Sequence, residues 1–315
     1  MSLNNSLADI LRTASKVIWH WLTGKCEIER ACQNQFHDQK MSYTFAISLK
    51  KSKKLSTFSK IIFFPKPFKV SQACDSIISI KKIPKTELLI ISNISHCLRS
   101  LRFVNSVITK IQAFSKMEFD KSREEHIRLI ESFWANMKPG LSRRRFPSTQ
   151  DVDDGFKSID WGDVGFQGSD PSTDFRGMGL LGLLQLEYFS QRQTKAAVAV
   201  LGESTHPRRY YPFAATGINV TAFVRELLTE RRLHRHLFSS LDIFGNRASY
   251  SFEEGPSESD ELVELGCQAI HDIYCEIFIE FNKLWTERDP DNIFAFQEIF
   301  GEIKKRVRDR MPPLE

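Results

Sequence analysis

From Lys121 to the C-terminus, apolar residues recur at steps of three and four wherever a clear period exists. That period, unlike the two-residue alternation of a half-buried strand, commits the chain to helices packed on one another. Ile127, Ile130, Trp134 and Met137 form one stripe, stopped by Pro139 and Gly140. The run Leu180 to Phe189 is apolar on nearly every side, which predicts a central helix enclosed by others. After a break at His206-Pro207, a helix from about Phe213 presents Ile218, Val220, Phe223, Val224, Leu227 and Leu228. It ends near Arg231, Arg232 and Arg235, cations suited to the negative end of its dipole. Leu262, Ile270, Ile273, Ile277, Phe281 and Leu284 make a further long stripe. Asp289-Pro290 then reads as an N-cap with a first-position proline, for a final helix burying Ile293, Phe296, Phe300, Ile303 and Val307. The expected fold class is all-α, and at 315 residues the core needs neither disulfide nor metal.

The N-terminal third reads differently. Leu7, Ile10, Leu11, Val17, Ile18, Trp21 and Leu22 cluster at helical spacing, interrupted by Asp9, Arg12, Lys16 and His20. Residues 1–34 are therefore expected to form an amphipathic helical segment that either packs on the main domain or lies on a membrane surface. Residues 35–96 form a basic insert rich in Lys, Ser and Phe, without sustained helical period, for which short strands and poorly ordered chain are the two readings. Residues 97–311 complete the division as the main domain. The formal charge of +5 is unevenly spread. Met41 to Met117 carries about +12, which leaves the remainder near −7, so a nucleic-acid footprint is not supported. The lysine-rich stretch also suits contact with anionic lipid.

Six cysteines are scattered without CxxC pairing, and no signal peptide precedes them, so reduced thiols and a cytoplasmic location are expected. Cys267, His271 and Cys275 share one helix face, which invites a metal reading. Three ligands so strung diverge over about 12 Å and need a fourth from elsewhere, so buried packing is favoured and no metal is expected. No run of about eighteen apolar residues is present. No phosphate-binding G-x-x-x-x-G-K-[ST] loop, H-E-x-x-H, G-x-S-x-G or kinase signature occurs either, so the chain is not expected to carry its own nucleotide site.

The most unusual stretch, Trp161 to Leu180, packs five glycines and a proline just ahead of the most apolar helix. Glycine permits positive φ and close backbone approach, and Asp-Pro and Thr-Asp favour tight turns, so a shaped loop feeds a buried helix. Thr173 or Asp174 is expected to cap that helix and fix the direction in which Arg176 leaves it. Gly177 to Gly182 matches the dinucleotide pattern G-x-G-x-x-G, but a polar turn precedes it where a strand is required, and close helix packing is the preferred reading. Arg176 reads either as a group offered to a partner or as half of an ion pair with Asp174 or Asp170. Gln167 either orients water or bonds the loop backbone, the latter preferred.

Trp161, Gly165, Phe166, Gln167, Pro171, Thr173, Asp174, Phe175, Arg176, Gly177 and Gly179 reproduce the pattern W-x3-GFQ-x3-P-x-TDFRG-x-G. By these residues the chain resembles the ELMO-domain-containing (ELMOD) proteins. The likeness continues through Gly182-Leu183-Leu184, Tyr211-Pro212-Phe213-Ala214, Gly217-Ile218-Asn219 and the N-terminal Thr23-Gly24-Lys25-Cys26-Glu27, covering roughly residues 7–34 and 97–307. About 37–96 has no counterpart in this pattern. The resemblance implies a single multi-helix ELMO domain that activates GTP hydrolysis by small GTPases of the ARF and ARF-like group. The family's functional arginine falls on Arg176, and the other ten residues support it. GTP and Mg²⁺ would then belong to the partner, and the chain would carry no cofactor. The alternative reading is a non-catalytic adaptor that uses the same domain only to bind partners in small-GTPase or cytoskeletal signalling. A nicotinamide-dependent oxidoreductase would need a parallel sheet. Peripheral membrane contact through the N-terminal helix or the basic insert completes the expectations.

Overall fold

A computed structural model describes residues 18, 21–33, 39–63, 68–144, 156–245 and 260–314. Among them there are helices and turns and no strand, so the all-α expectation holds. The chain divides into two compact units that do not follow chain order: residues 1–107, 234–263 and 314–315 form one, and 108–233 and 264–313 the other.

The first unit contains α1 (Glu27–Ala31), α2 (Gln39–Lys51), a 3-10 turn (Lys53–Leu55), α3 (Ser56–Ile62), α4 (Val70–Lys81), most of α5 (Leu88–Lys116) and α10 (His234–Gly245). α2 packs against α1 and α10, burying Phe45, Leu49, Leu237 and Phe238. The buried Asn93 amide donates to Cys32 O at 2.8 Å. The expectation of short strands or poorly ordered chain over 35–96 is thus corrected for the described residues, which are helical. The helical period is present, but in pieces. Met41, Phe45 and Leu49 face one core, as do Val70, Ala73, Cys74 and Ile77, and then Ile90, Ile94, Cys97, Leu98 and Leu101. Ser52, the prolines at 65 and 67, and Pro84 divide these stripes, so no single long window sustains the period. Most of the amphipathic stretch Leu7–Leu22 lies outside the described residues; Ile18, Trp21 and Leu22 are exposed.

The second unit is built around α7 (Gly179–Arg192), which packs against α6 (Glu124–Met137), α8 (Thr194–Ser204) and α9 (Phe213–Thr229). Leu180, Leu181, Leu183, Leu186 and Phe189 are all buried, as a helix enclosed by others requires. Most of the long α11 (Asp260–Arg288), together with α12 (Phe296–Arg310), completes the unit. Phe213 stacks against Phe189 and Phe278, and Tyr211, Phe281, Trp285 and Phe300 continue the aromatic core. At the helix crossing, a Cβ on Gly217 of α9 would fall 2.6 Å from both Leu186 Cδ2 and Tyr274 Oη, so a larger residue there would force those side-chain ends to shift.

Two helix-end expectations are corrected. The final helix is not opened by Asp289-Pro290: Asn292 caps a 3-10 turn (Ile293–Ala295) by accepting the Phe294 N–H at 3.0 Å, and α12 follows. Asp289 instead stands at φ +46° and pairs with Arg208 and Arg209. Ile293 is accordingly exposed rather than buried. Among the described residues Arg232 gives its side chain to none of the last carbonyls of α9, although its Nε pairs with Glu230 there. Its guanidinium crosses to α12 and donates to Arg308 O at 2.8 Å and Met311 O at 2.9 Å, which satisfies the last carbonyls of a different helix.

Around that cap Lys304 and Arg308 of α12 meet Glu226 and Glu230 of the α9 end at 2.7 to 3.1 Å. Arg308 above all, opposed by partial burial and seconded by Arg232, holds the Glu230 carboxyl down at about 2. Because the folded value lies below the ordinary 4.5, the stabilisation is complete above pH 4.5 and disappears as the pH falls through about 2. Urea unfolding of Glu230→Gln should therefore show a loss of about 1 kcal/mol at neutral pH, limited by partial exposure, and no difference from wild type at the acid end of that window.

Candidate functional site

The glycine-rich stretch lies wholly in the second unit and is made of two 3-10 helices, Ile159–Val164 and Pro171–Gly177. Ser158 caps the first, its hydroxyl accepting the Asp160 N–H at 3.1 Å. Trp161 is fully buried, with its indole N–H on Phe156 O at 3.0 Å. Trp134 and Phe166 meet it edge-on, and the Arg143 guanidinium lies 3.9 Å from its ring centroid. Arg143 is in turn paired with Glu131. Phe166 then touches Phe175 edge-on, and Phe175 reaches Phe119. The three aromatic motif positions are thus a continuous spine beneath the loop, and their burial fixes the backbone above it.

Gly165 follows the first 3-10 helix at φ +82°. A Cβ there would sit 2.1 Å from Phe213 N, and its own carbonyl accepts the Ala215 N–H at 3.1 Å, occupying one of the open donors that begin α9. Gly179, at φ +53°, makes the matching approach at α7. The Leu180 N–H donates to Met117 O at 2.7 Å, and a Cβ on Gly179 would fall 2.5 Å from that oxygen. The carbonyl end of α5 is therefore set against the N–H end of α7, with the dipoles in the attractive sense.

The second 3-10 helix is capped by Asp170, with Pro171 buried at its first position. Asp170 accepts from the Ser172 N–H at 3.0 Å and hydroxyl at 2.5 Å, and from Lys121 Nζ at 2.7 Å. Burial raises its carboxyl, but Lys121 and Ser172 together bring it below the ordinary value. The expectation that Thr173 or Asp174 caps the apolar helix is corrected: Asp170 is the cap, and it caps the 3-10 helix. An aspartate directly ahead of proline was the signal, since the ring suits a first helical position and the carboxylate takes the open N–H beyond it. The exposed Thr173 donates its hydroxyl to Asp170 O at 2.9 Å. Asp174 accepts the Gln167 backbone N–H at 2.7 Å, and burial is the main influence raising its carboxyl. For Gln167 the loop is held by the main-chain N–H, while the side chain is exposed and, among the described residues, makes no hydrogen bond.

Arg176 and Gly177 are both exposed at the end of this 3-10 helix. Among the described residues no hydrogen bond or ion pair holds the Arg176 guanidinium: Asp170 is paired with Lys121, and Asp174, which accepts the Gln167 N–H, acts on Arg176 only through its charge. Gly177 has no atom within 4 Å of the place a Cβ would take. The partners Lys121, Arg143 and Met117 were not visible from sequence, since only the fold brings them to the loop. The dinucleotide reading fails on its context: a 3-10 helix precedes the glycines, and a Cβ on Gly182 would lie 3.4 Å from Ile218 and 3.5 Å from Phe175, in ordinary packing contact. Cys267, His271 and Cys275 are buried on α11. His271 packs on the Tyr188 ring, and burial takes its imidazole down to about 4.

The glycines of the motif thus fall into two kinds. Gly165→Ala should destabilise the protein by more than about 3 kcal/mol, because strain and overlap with the α9 backbone add. Gly177→Ala should stay within about 0.5 kcal/mol of wild type. Thermal unfolding of the two variants checks both, and equal losses would contradict the assignment.

A family model for the ELMO/CED-12 family matches residues 109–300. The chain is 28% identical over 312 residues to ELMO domain-containing protein 1 of Bos taurus, covering 93% of this chain and 85% of that protein. It is 28% identical over 289 residues to ELMO domain-containing protein 2 of Bos taurus, covering 91% and 87%. ELMO domain-containing protein B of Dictyostelium discoideum is 28% identical over 297 residues, covering 93% and 92%. With 93% of the chain inside such an alignment, most of 37–96 lies within the aligned span, which corrects the expectation that it has no counterpart. A loop braced by buried Trp161, Phe166 and Phe175, on a helical unit that holds most of the matched residues, belongs to a chain of the ELMO/CED-12 family.

Proposed function

We propose that this chain stimulates GTP hydrolysis by a small GTPase of the ARF or ARF-like group, by placing Arg176 in the partner's catalytic cleft. The single observation that supports the reading most is a guanidinium that is exposed and, among the described residues, unpaired, at the end of a helix whose other side chains are pinned. Phosphoryl transfer builds negative charge on the transferred group and the leaving oxygen, and a partner's arginine stabilises it by about 10³ to 10⁵ in rate. An arginine already engaged by a carboxylate would have to lose that pair first. Here Lys121 pairs with Asp170, and Asp174 bonds the Gln167 N–H and makes no ion pair with Arg176 among the described residues, so Arg176 has no such pair to break.

In this reading GTP and Mg²⁺ are bound by the partner, and the chain is a regulator with no reaction of its own. Gly177 keeps the surface beside Arg176 flat, so that the partner's phosphate-binding loops approach closely. A cytoplasmic location with peripheral attachment to intracellular membranes, through the N-terminal segment or the basic stretch, belongs to the same proposal. Among the described residues no helix is long and apolar enough to cross a membrane.

Single-turnover GTP hydrolysis by a panel of purified ARF and ARF-like GTPases tests the proposal. One of them should be accelerated, and Arg176→Ala should remove about 10³-fold of that acceleration while leaving the unfolding midpoint unchanged. Arg176→Lys should restore little, because an ammonium lacks the planar fork. Gly177→Ala should weaken stimulation without loss of stability. Stimulation that survives Arg176→Ala would defeat the arginine role. Partner binding with no change in hydrolysis would favour the adaptor.

A further inference from the structure

We propose that the tip of the α4–α5 helical hairpin, Ile80 to Leu89, docks on the anionic face of a lipid bilayer. The inference deepens the membrane part of the proposed function and rests on it, but on nothing concerning Arg176. Three aliphatic side chains are exposed at this tip: Leu88 at 73%, Leu89 at 46% and Ile80 at 39%. The turn geometry puts them there. α4 ends with Lys82 in the left-handed region at φ +56°, and the Ile83 N–H returns to Ile78 O at 3.0 Å, so Ile83 is buried while Lys82 faces outward. The Glu87 N–H closes on Pro84 O at 3.0 Å, and α5 opens directly with the two leucines. Further down, the Cys74 thiol against Ile91 O at 3.8 Å joins the two legs.

The charge around these side chains is predominantly positive. From Ser76 to Met117 the only acid is Glu87, whereas Lys81, Lys82 and Lys85 stand beside the leucines. Among the described residues Lys82 and Lys85 have no ion-pair partner and are exposed. A protein-binding surface is commonly anchored by Trp, Tyr or Arg and is depleted in Lys, and this tip contains none of those three anchors. Aliphatic side chains that enter the headgroup region while lysines reach up to the phosphates match an anionic bilayer instead. At the attraction typical of a lysine near such a surface, each contributes about fivefold to partitioning.

Flotation of the full chain with phosphatidylcholine vesicles, with and without phosphatidylserine, tests the proposal. Binding is expected only with phosphatidylserine. Lys82→Gln with Lys85→Gln should weaken it about thirtyfold. Leu88→Ser with Leu89→Ser should weaken it to a degree that added salt does not reverse, and all four positions are exposed, so the fold is retained. No phosphatidylserine-dependent flotation of the wild type would overturn both the hairpin and membrane contact in general. Wild-type flotation that neither double variant reduces would overturn the hairpin alone and move the contact to the N-terminal segment. A concentration-dependent dimer in sedimentation velocity that Leu88→Ser with Leu89→Ser abolishes would also overturn it, by assigning the tip to a second copy. GTP hydrolysis measured without vesicles reports on Arg176 separately and should be unchanged by either double variant.

Discussion

The second unit depends on backbone meeting backbone at two places where no side chain fits. Gly165 brings its carbonyl to the start of α9, and Gly179 brings the start of α7 onto the last carbonyls of α5. Each contact gives a partner to a polar group that a helix end would otherwise leave open. Both glycines hold a positive φ, so the close approach and the change of chain direction arise from the same residue. Because α7 lies in the middle of its unit, the direction in which it starts governs which faces of α6, α8 and α9 it covers.

The loop between these two points carries few regular hydrogen bonds and is rigid for other reasons. Trp161, Phe166 and Phe175 sit side by side in the interior, so displacing any one would open a void beneath the others. Asp170 and Asp174 then tie the upper layer, one to a lysine and a cap, the other across to a main-chain N–H. The result is an ordering of charge: negative groups are satisfied inward, and a positive group is left outward. A long side chain on a fixed base loses less freedom on docking than one on a mobile loop, which is what the proposed role of Arg176 would gain from a capped 3-10 helix.

Much of the architecture could be read from the apolar period. The burial of Leu180 to Phe189, the stop at Pro139-Gly140 and the start at Phe213 all follow from local spacing and local breakers. In the region 35–96 the period is not legible, because the helices described there are separated by serine and proline and a period cut into pieces resembles none. Helix ends escape local spacing for a related reason. Arg232 has the right charge for the end of its own helix, yet α12 offers it two carbonyls in the folded chain. Asp289 precedes a proline as a cap should, but Arg208 and Arg209 claim its carboxylate.

What the sequence alone determined is the helical class, the central helix and the position of the loop with its arginine, because these rest on periodicity, glycine permissiveness and a motif within about twenty residues. Whether that arginine is free was decided only by tertiary structure. Asp170 and Asp174 lie close to Arg176 in the chain, and nothing local prevents them from pairing with it. Lys121, some fifty positions from Asp170, takes that carboxylate once the chain is compact, since a charge near the surface binds whichever opposite group the fold places within reach, and Asp174 is turned to the folded-back N–H of Gln167.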